Sequence, residues 1–150
     1  VHAIQAPGTL DGGDILKIGN RVYVGATLRT NEAGIQQLRD VVEPLGREVV
    51  VVPVTTALHL KSAITALPDG TVIGHESLVE APETFDAFRA VPEIEGTAVV
   101  VLDPHTVLMS ASAPDTAALW REAGLEVITV DITEFEKLEG CVTCLSVRVR

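Results

Sequence analysis

The feature that most constrains this chain is an order of elements that recurs three times: strand, strand, helix, strand. The first segment opens with an alternating run at residues 14–18, the two-residue turn Gly19-Asn20 and a second run at residues 21–25. Gly-Asn between two apolar alternations is a tight-hairpin signal. A helix capped at Thr30 or Asn31 follows, with Ile35, Leu38, Val42 and Leu45 spaced for one buried face. Pro44 and Gly46 end it, and the β-branched run at residues 49–54 reads as a strand buried on both faces. The second segment predicts strands at 59–67 and 71–74 around Pro68-Asp69-Gly70, a short helix at 82–89 with Phe85 and Phe88 on one face, and a strand at 98–102. The third predicts a strand at 106–109, a helix at 112–123 with Pro114 near its start, and a strand at 126–130. Thr133 and Glu136 then suggest a capping box on a one-turn helix holding Phe135 and Leu138, and residues 142–149 suggest a closing strand. Each unit has a sheet face it cannot cover alone, so the pattern predicts radial or stacked repetition in an α/β (α+β) chain.

Composition narrows the function. With 47% apolar and 21% charged residues, the 150-residue chain has the material for one packed domain. Eleven basic residues against 21 acidic ones give a net charge of −10, which repels phosphate backbones and favours cationic partners. No apolar run approaches the roughly 18–20 residues of a membrane span. The start, Val1-His2-Ala3-Ile4, lacks the pattern of a secretion signal, and Val rather than Met at position 1 suggests a processed chain or one cut from something longer. Two cysteines are too few for a disulfide scaffold and point to a reducing, cytoplasmic setting.

Four places can carry chemistry. Cys144, in Gly140-Cys141-Val142-Thr143-Cys144-Leu145-Ser146, is either a small buried apolar side chain or a thiolate nucleophile needing a base or a cationic neighbour. The Cys141/Cys144 pair is also half a zinc site or a redox pair, although no His stands at short ligand spacing. His59, in Leu58-His59-Leu60-Lys61-Ser62, is the best base, standing where a strand is predicted to start; its bland reading is a structural histidine between two leucines. Asp11-Gly12-Gly13-Asp14 lets backbone approach closely between two carboxylates, or is an acidic turn into the hairpin; two Asp are too few for calcium. Arg29, just before a helix N-terminus, stands against the local dipole, which suits a residue gripping a carboxylate.

In order and spacing, Leu10-Asp11-Gly12-Gly13-Asp14, Leu28-Arg29-Thr30-Asn31, Leu58-His59-Leu60-Lys61-Ser62 and Thr143-Cys144-Leu145-Ser146-Val147 resemble the C-terminal part of the dimethylarginine dimethylaminohydrolases, in the guanidino-group-modifying (pentein) superfamily. The resemblance covers essentially the whole chain. It implies a five-bladed propeller of ββαβ units around a polar channel, of which this chain would hold about three. It implies Cys144 as the nucleophile on the guanidinium carbon of a methylated arginine, His59 as general acid/base and Asp11 as the carboxylate that orients it. Arg29 would hold the substrate's α-carboxylate, and the backbone at Leu138 would help bind its α-amino group. No metal and no organic cofactor is implied, and the partner is a small cationic substrate.

Two departures shape this expectation. Relatives that deiminate free arginine carry His-x-Asp, and here the position is Lys61, which favours the methylarginine hydrolases over arginine deiminases; an amidinotransferase using the same Cys and His is the other enzyme alternative. The N-terminal blades of the family are absent, so the chain is expected to be a partial catalytic domain that meets the missing blades or a second copy. The reading from another class is a catalytically silent pentein module that binds a partner.

Overall fold

The computed structural model describes residues 2–147. The chain divides into two compact units, one running up to Lys61 and the other starting at Ser62.

The first unit is one three-stranded sheet with a helix. Strands β1 (Ile15–Ile18) and β2 (Arg21–Ala26) form the antiparallel hairpin, with Ile15 opposite Val24 and Ile18 opposite Arg21. Helix α1 (Glu32–Val42) then returns the chain so that β3 (Glu48–Pro53) pairs parallel with β2, from Arg21 opposite Glu48 to Ala26 opposite Pro53. Asn31, not Thr30, caps α1, its side chain accepting from Gly34 N. Ile35, with Leu38 and Val42 beside it, closes over Val22, Val24 and Val49. Two expectations fail here. Leu45 does not join that face; it stands 74% exposed in a 3-10 turn, Glu43–Leu45, because Pro44 breaks the helical period before it. Strand β3 is not the continuously buried run expected: Val49 and Val52, on opposite faces, are buried, but Val51 is exposed.

The second unit holds two more sheets. His59 does not begin a strand: the chain makes a single helical turn, α2 (Leu60–Ala63), before β4 (Ile64–Ala66). Strand β4 runs antiparallel to β5 (Val72–Gly74), which pairs parallel with β6 (Phe88–Ala90). The helix expected over 82–89 is replaced by a 3-10 turn, Pro82–Thr84, and by β6. The two phenylalanines do meet, stacked with centroids 6.2 Å apart, but the backbone at Val72–Gly74 needs a partner, and that tertiary pairing overrides the helical spacing. The strand expected at 98–102 therefore belongs to the third sheet. There β7 (Val99–Val101) is antiparallel to β8 (Thr106–Ser110), and β8 pairs parallel with β9 (Glu126–Val130) across helix α3 (Pro114–Glu122). Trp120, fully buried, packs with Leu67, Ile73, Val91, Val99, Val107 and Met109 into one core shared by these two sheets.

The capping box at Thr133 is not formed. Helix α4 (Thr133–Glu136) begins with Thr133 N donating to Asp131 Oδ1, and the Glu136 carboxylate is taken instead by the hydroxyls of Ser110 and Ser112. The closing strand fails as well: residues 142–145 form a turn, and residues 148–149 lie outside the described residues.

Candidate active site

In the first unit the chain brings Asp11, Arg29 and His59 together. Asp11 ends an extended segment and caps a 3-10 turn, Gly12–Asp14, through Oδ1 accepting from Gly13 N at 3.0 Å. Its other oxygen, Oδ2, stands 3.2 Å from His59 Nε2 and 3.9 Å from an Arg29 guanidinium nitrogen. The Gly13 N–H, then the imidazole and the Arg29 charge, hold the Asp11 carboxyl below its ordinary range, against the opposing effect of burial. His59 Nε2 is buried, and its approach to Asp11 is close but not aligned as a hydrogen bond. A carboxylate at Nε2 favours the neutral tautomer with its hydrogen there and leaves Nδ1 as the basic nitrogen.

Glycine is required at position 13 by close approach. A Cβ there would stand 2.6 Å from His59 Cγ and 3.0 Å from Nδ1, so the ring lies directly on the glycine backbone. Beside this group lies an open recess of about 470 Å³ lined by Ile4, Gly8, Leu10, Asp11, Leu28 and Arg29 among others. That volume is in the range of small-molecule sites. Leu28 is fully exposed at its rim, so the recess offers apolar surface next to one carboxylate and one guanidinium.

The remaining expected residues belong to the second unit, on the segment after α4. Leu138 is 86% exposed, with its N–H turned to Phe135 O at 3.0 Å. Cys144 is exposed at the end of a turn in which its N–H donates to Cys141 O at 3.0 Å. Its Sγ lies 3.2 Å from Cys141 Sγ, which in turn is 3.0 Å from Thr143 Oγ1. The small-buried-residue reading thus suits Cys141, whose thiol burial pushes up, rather than Cys144. Among the described residues, no cluster of three or more His, Cys, Asp or Glu side chains is placed to hold a metal.

Sequence reasoning missed the residues that support this group. Thr27, Thr30 and Asp14 form a hydrogen-bonded network beneath Asp11, Arg29 and His59. The second aspartate of Asp11-Gly12-Gly13-Asp14 was the available signal, but its burial has no periodicity to reveal it.

Three sheets share one topology, each with its second strand central, and the chain carries a carboxylate–imidazole pair and an exposed cysteine. A family model described as arginine deiminase matches residues 2–95. The N(G),N(G)-dimethylarginine dimethylaminohydrolase of Streptomyces coelicolor is 61% identical over 150 residues, covering 100% of this chain and 58% of that protein. Among solved structures, a cysteine-to-serine variant of the Pseudomonas aeruginosa dimethylarginine dimethylaminohydrolase complexed with citrulline superposes with a TM-score of 0.85 at 32% identity, over 97% of this chain and 58% of that one. A dimethylarginine dimethylaminohydrolase bearing an S-methyl-L-thiocitrulline adduct on a histidine-to-glycine variant gives 0.88 at 32%, with the same coverage. The chain belongs to the arginine deiminase family, and its fold is the pentein propeller of ββαβ units. It spans somewhat under two thirds of the length of the relatives it matches.

Proposed function

We propose that this chain supplies the nucleophile, the acid/base and part of the substrate grip of a hydrolase that converts Nω-methylated arginine to citrulline and a methylamine. Its three ββαβ units are read as part of one catalytic domain, a reading supported by the greater length of the relatives. The Cys144 thiolate attacks the guanidinium carbon. Delocalised charge makes that carbon a weak electrophile, so a thiolate rather than a hydroxyl is required. His59, as imidazolium, protonates the departing amine and the C–N bond breaks, leaving a thiouronium on Cys144. The now neutral imidazole takes a proton from water, hydroxide adds to the same carbon, and cleavage of the C–S bond releases citrulline and the thiolate. Asp11 keeps the imidazole oriented. Arg29 grips the α-carboxylate, the Leu138 backbone contributes to the α-amino group, and no cofactor takes part.

The observation that carries this reading is a carboxylate held between an imidazole and a guanidinium, in a chain matching a dimethylarginine dimethylaminohydrolase along its whole length. No helix among the described residues is long and apolar enough to cross a membrane. With both thiols free, a reducing compartment, the cytoplasm, suits the chemistry. The test is product analysis on the intact protein. Dimethylarginine yields citrulline and dimethylamine in equal amounts, and Cys144→Ser abolishes both. The description of the family model favours one second reading, free arginine as substrate. Ammonia release from arginine at a higher kcat/KM than amine release from dimethylarginine would establish that reading. A protein inert to both substrates would be a silent binding module.

A further inference from the structure

Asp14 is fully buried, yet it is a carboxylate. Its Oδ2 accepts from Thr30 Oγ1 at 2.6 Å and from Thr27 Oγ1 at 2.8 Å, and its Oδ1 accepts from Leu60 N at 3.0 Å. Each threonine passes the connection on. Thr30 Oγ1 receives Asp11 N at 3.0 Å, and Thr27 Oγ1 receives Arg29 N at 3.0 Å and Thr30 N at 3.2 Å. Leu60 is the residue after His59. One buried side chain is therefore the common acceptor for two distant segments, residues 27–30 and 59–60, and it stands three residues from Asp11 on a third, so the three segments that carry the site residues meet at it. Strand β2 leaves room for it: a Cβ at Gly25 would stand 3.0 Å from Asp14 Oδ1 and 2.9 Å from Leu60 Cβ.

We propose that Asp14 is a positioning residue for the reaction, its carboxylate holding the Asp11, Arg29 and His59 segments in mutual register. It touches no substrate and acts only through the three segments. A carboxylate is specifically required, because every neighbour points a hydrogen at it. An amide in its place has one oxygen and one NH₂. With the oxygen toward Leu60 N, the NH₂ meets Thr27 Oγ1, whose lone pairs already receive two backbone N–H groups. With the oxygen toward the threonines, the NH₂ opposes the N–H of Leu60. Either orientation releases one arm of the site, the one that carries Arg29 or the one that carries His59.

The kinetic test of this inference rests on the methylarginine chemistry proposed above, and the spectroscopic test does not. In the intact protein, Asp14→Asn is expected to lower kcat and raise KM together, with kcat/KM for dimethylarginine falling on the order of 100-fold. Asp11→Asn acts mainly on kcat and Arg29→Ala mainly on KM. Independently of any substrate, ¹³C NMR of the Asp11 side-chain carboxyl follows its titration. In Asp14→Asn that titration moves up toward the ordinary carboxylate range as the contacts to Gly13, His59 and Arg29 loosen. A variant that only melts earlier, with the Asp11 titration and both kinetic constants as in the parent, overturns the proposal. Should the parent turn over no methylarginine, the functional reading falls and the Asp11 titration alone decides the role of Asp14. If Asp14→Asn does not fold, Thr30→Val removes one arm while sparing the carboxylate; an unmoved Asp11 titration in that variant also overturns the proposal.

Discussion

At position 11 one carboxylate faces an imidazole and a guanidinium, and the consequences are measurable. Its carboxyl titrates below its ordinary value of 3.8, chiefly because it accepts the Gly13 N–H and also through His59 and Arg29. A carboxyl held low in the folded state stabilises the fold at pH values above its unfolded pKa, and that contribution disappears as pH falls through the folded value. The melting temperature of Asp11→Asn should therefore lie below that of the parent at pH 7, and the gap should close as the pH drops below about 4. The gap is small in either case, since the side chain is partly exposed and water screens it. The catalytic loss is large by comparison. An imidazole without its orienting carboxylate loses tautomer and aim, and kcat should fall by roughly 10²–10⁴. The two thiols separate just as clearly. Burial pushes the Cys141 thiol above its ordinary value of 9.0, while Cys144 is exposed. At pH 7.5 a haloacetamidine should alkylate Cys144 first. Peptide mapping should find the label retained in Cys141→Ser and lost in Cys144→Ser, and a label on Cys141 would refute the assignment of the nucleophile.

At the scale of elements, the start of α1 shows how the fold serves the site. Asn31 Oδ1 accepts from Gly34 N at 2.9 Å, as a helix cap should, and also from Thr9 N at 3.0 Å, while its Nδ2 donates to Pro7 O at 2.8 Å. The cap therefore binds the helix to the strand-like segment that ends at Asp11. Asn31→Ala should cost about 1–2 kcal/mol, at the upper end for a cap, measured by urea unfolding. It should also raise KM, because Arg29 and Asp11 flank the loosened contact. The hairpin, this helix and the β8–α3–β9 order were legible in the sequence, because turn residues, caps and a 3.6-residue period are local. What was not legible depended on distant partners. Phe88 joined a strand because the edge of β5 away from β4 needed a partner, Glu136 left its capping box for two serines, and His59 preceded a helical turn because Leu60 N bonds a buried aspartate. The site divides the same way. Asp11, Arg29 and His59 carry the chemistry that the motifs point to, whereas Asp14 and Thr30, although in the same motifs, and Thr27 matter only through a network that folding assembles.

Across the whole molecule, one topology serves three sheets of different content. The first and third carry a helix between their second and third strands, and the second manages with a 3-10 turn, so strand pairing rather than the helix defines the unit. The surface these sheets present is strongly acidic, with a net charge of −10. A negative potential concentrates cations near it and leaves neutral molecules unaffected, and salt screens the effect over roughly 10 Å at 0.1 M. Two reagents for Cys144 that differ in charge test this without any assumption about the natural substrate. The second-order rate constant for a cationic haloacetamidine should fall about threefold between 10 and 200 mM salt, the loss expected for a local potential near one kT. The rate constant for neutral iodoacetamide should stay flat over the same range. Parallel behaviour of the two reagents would mean that the acidic charge lies too far from the thiol to act on it, and that attraction of a cationic substrate must come from the recess at Asp11 alone.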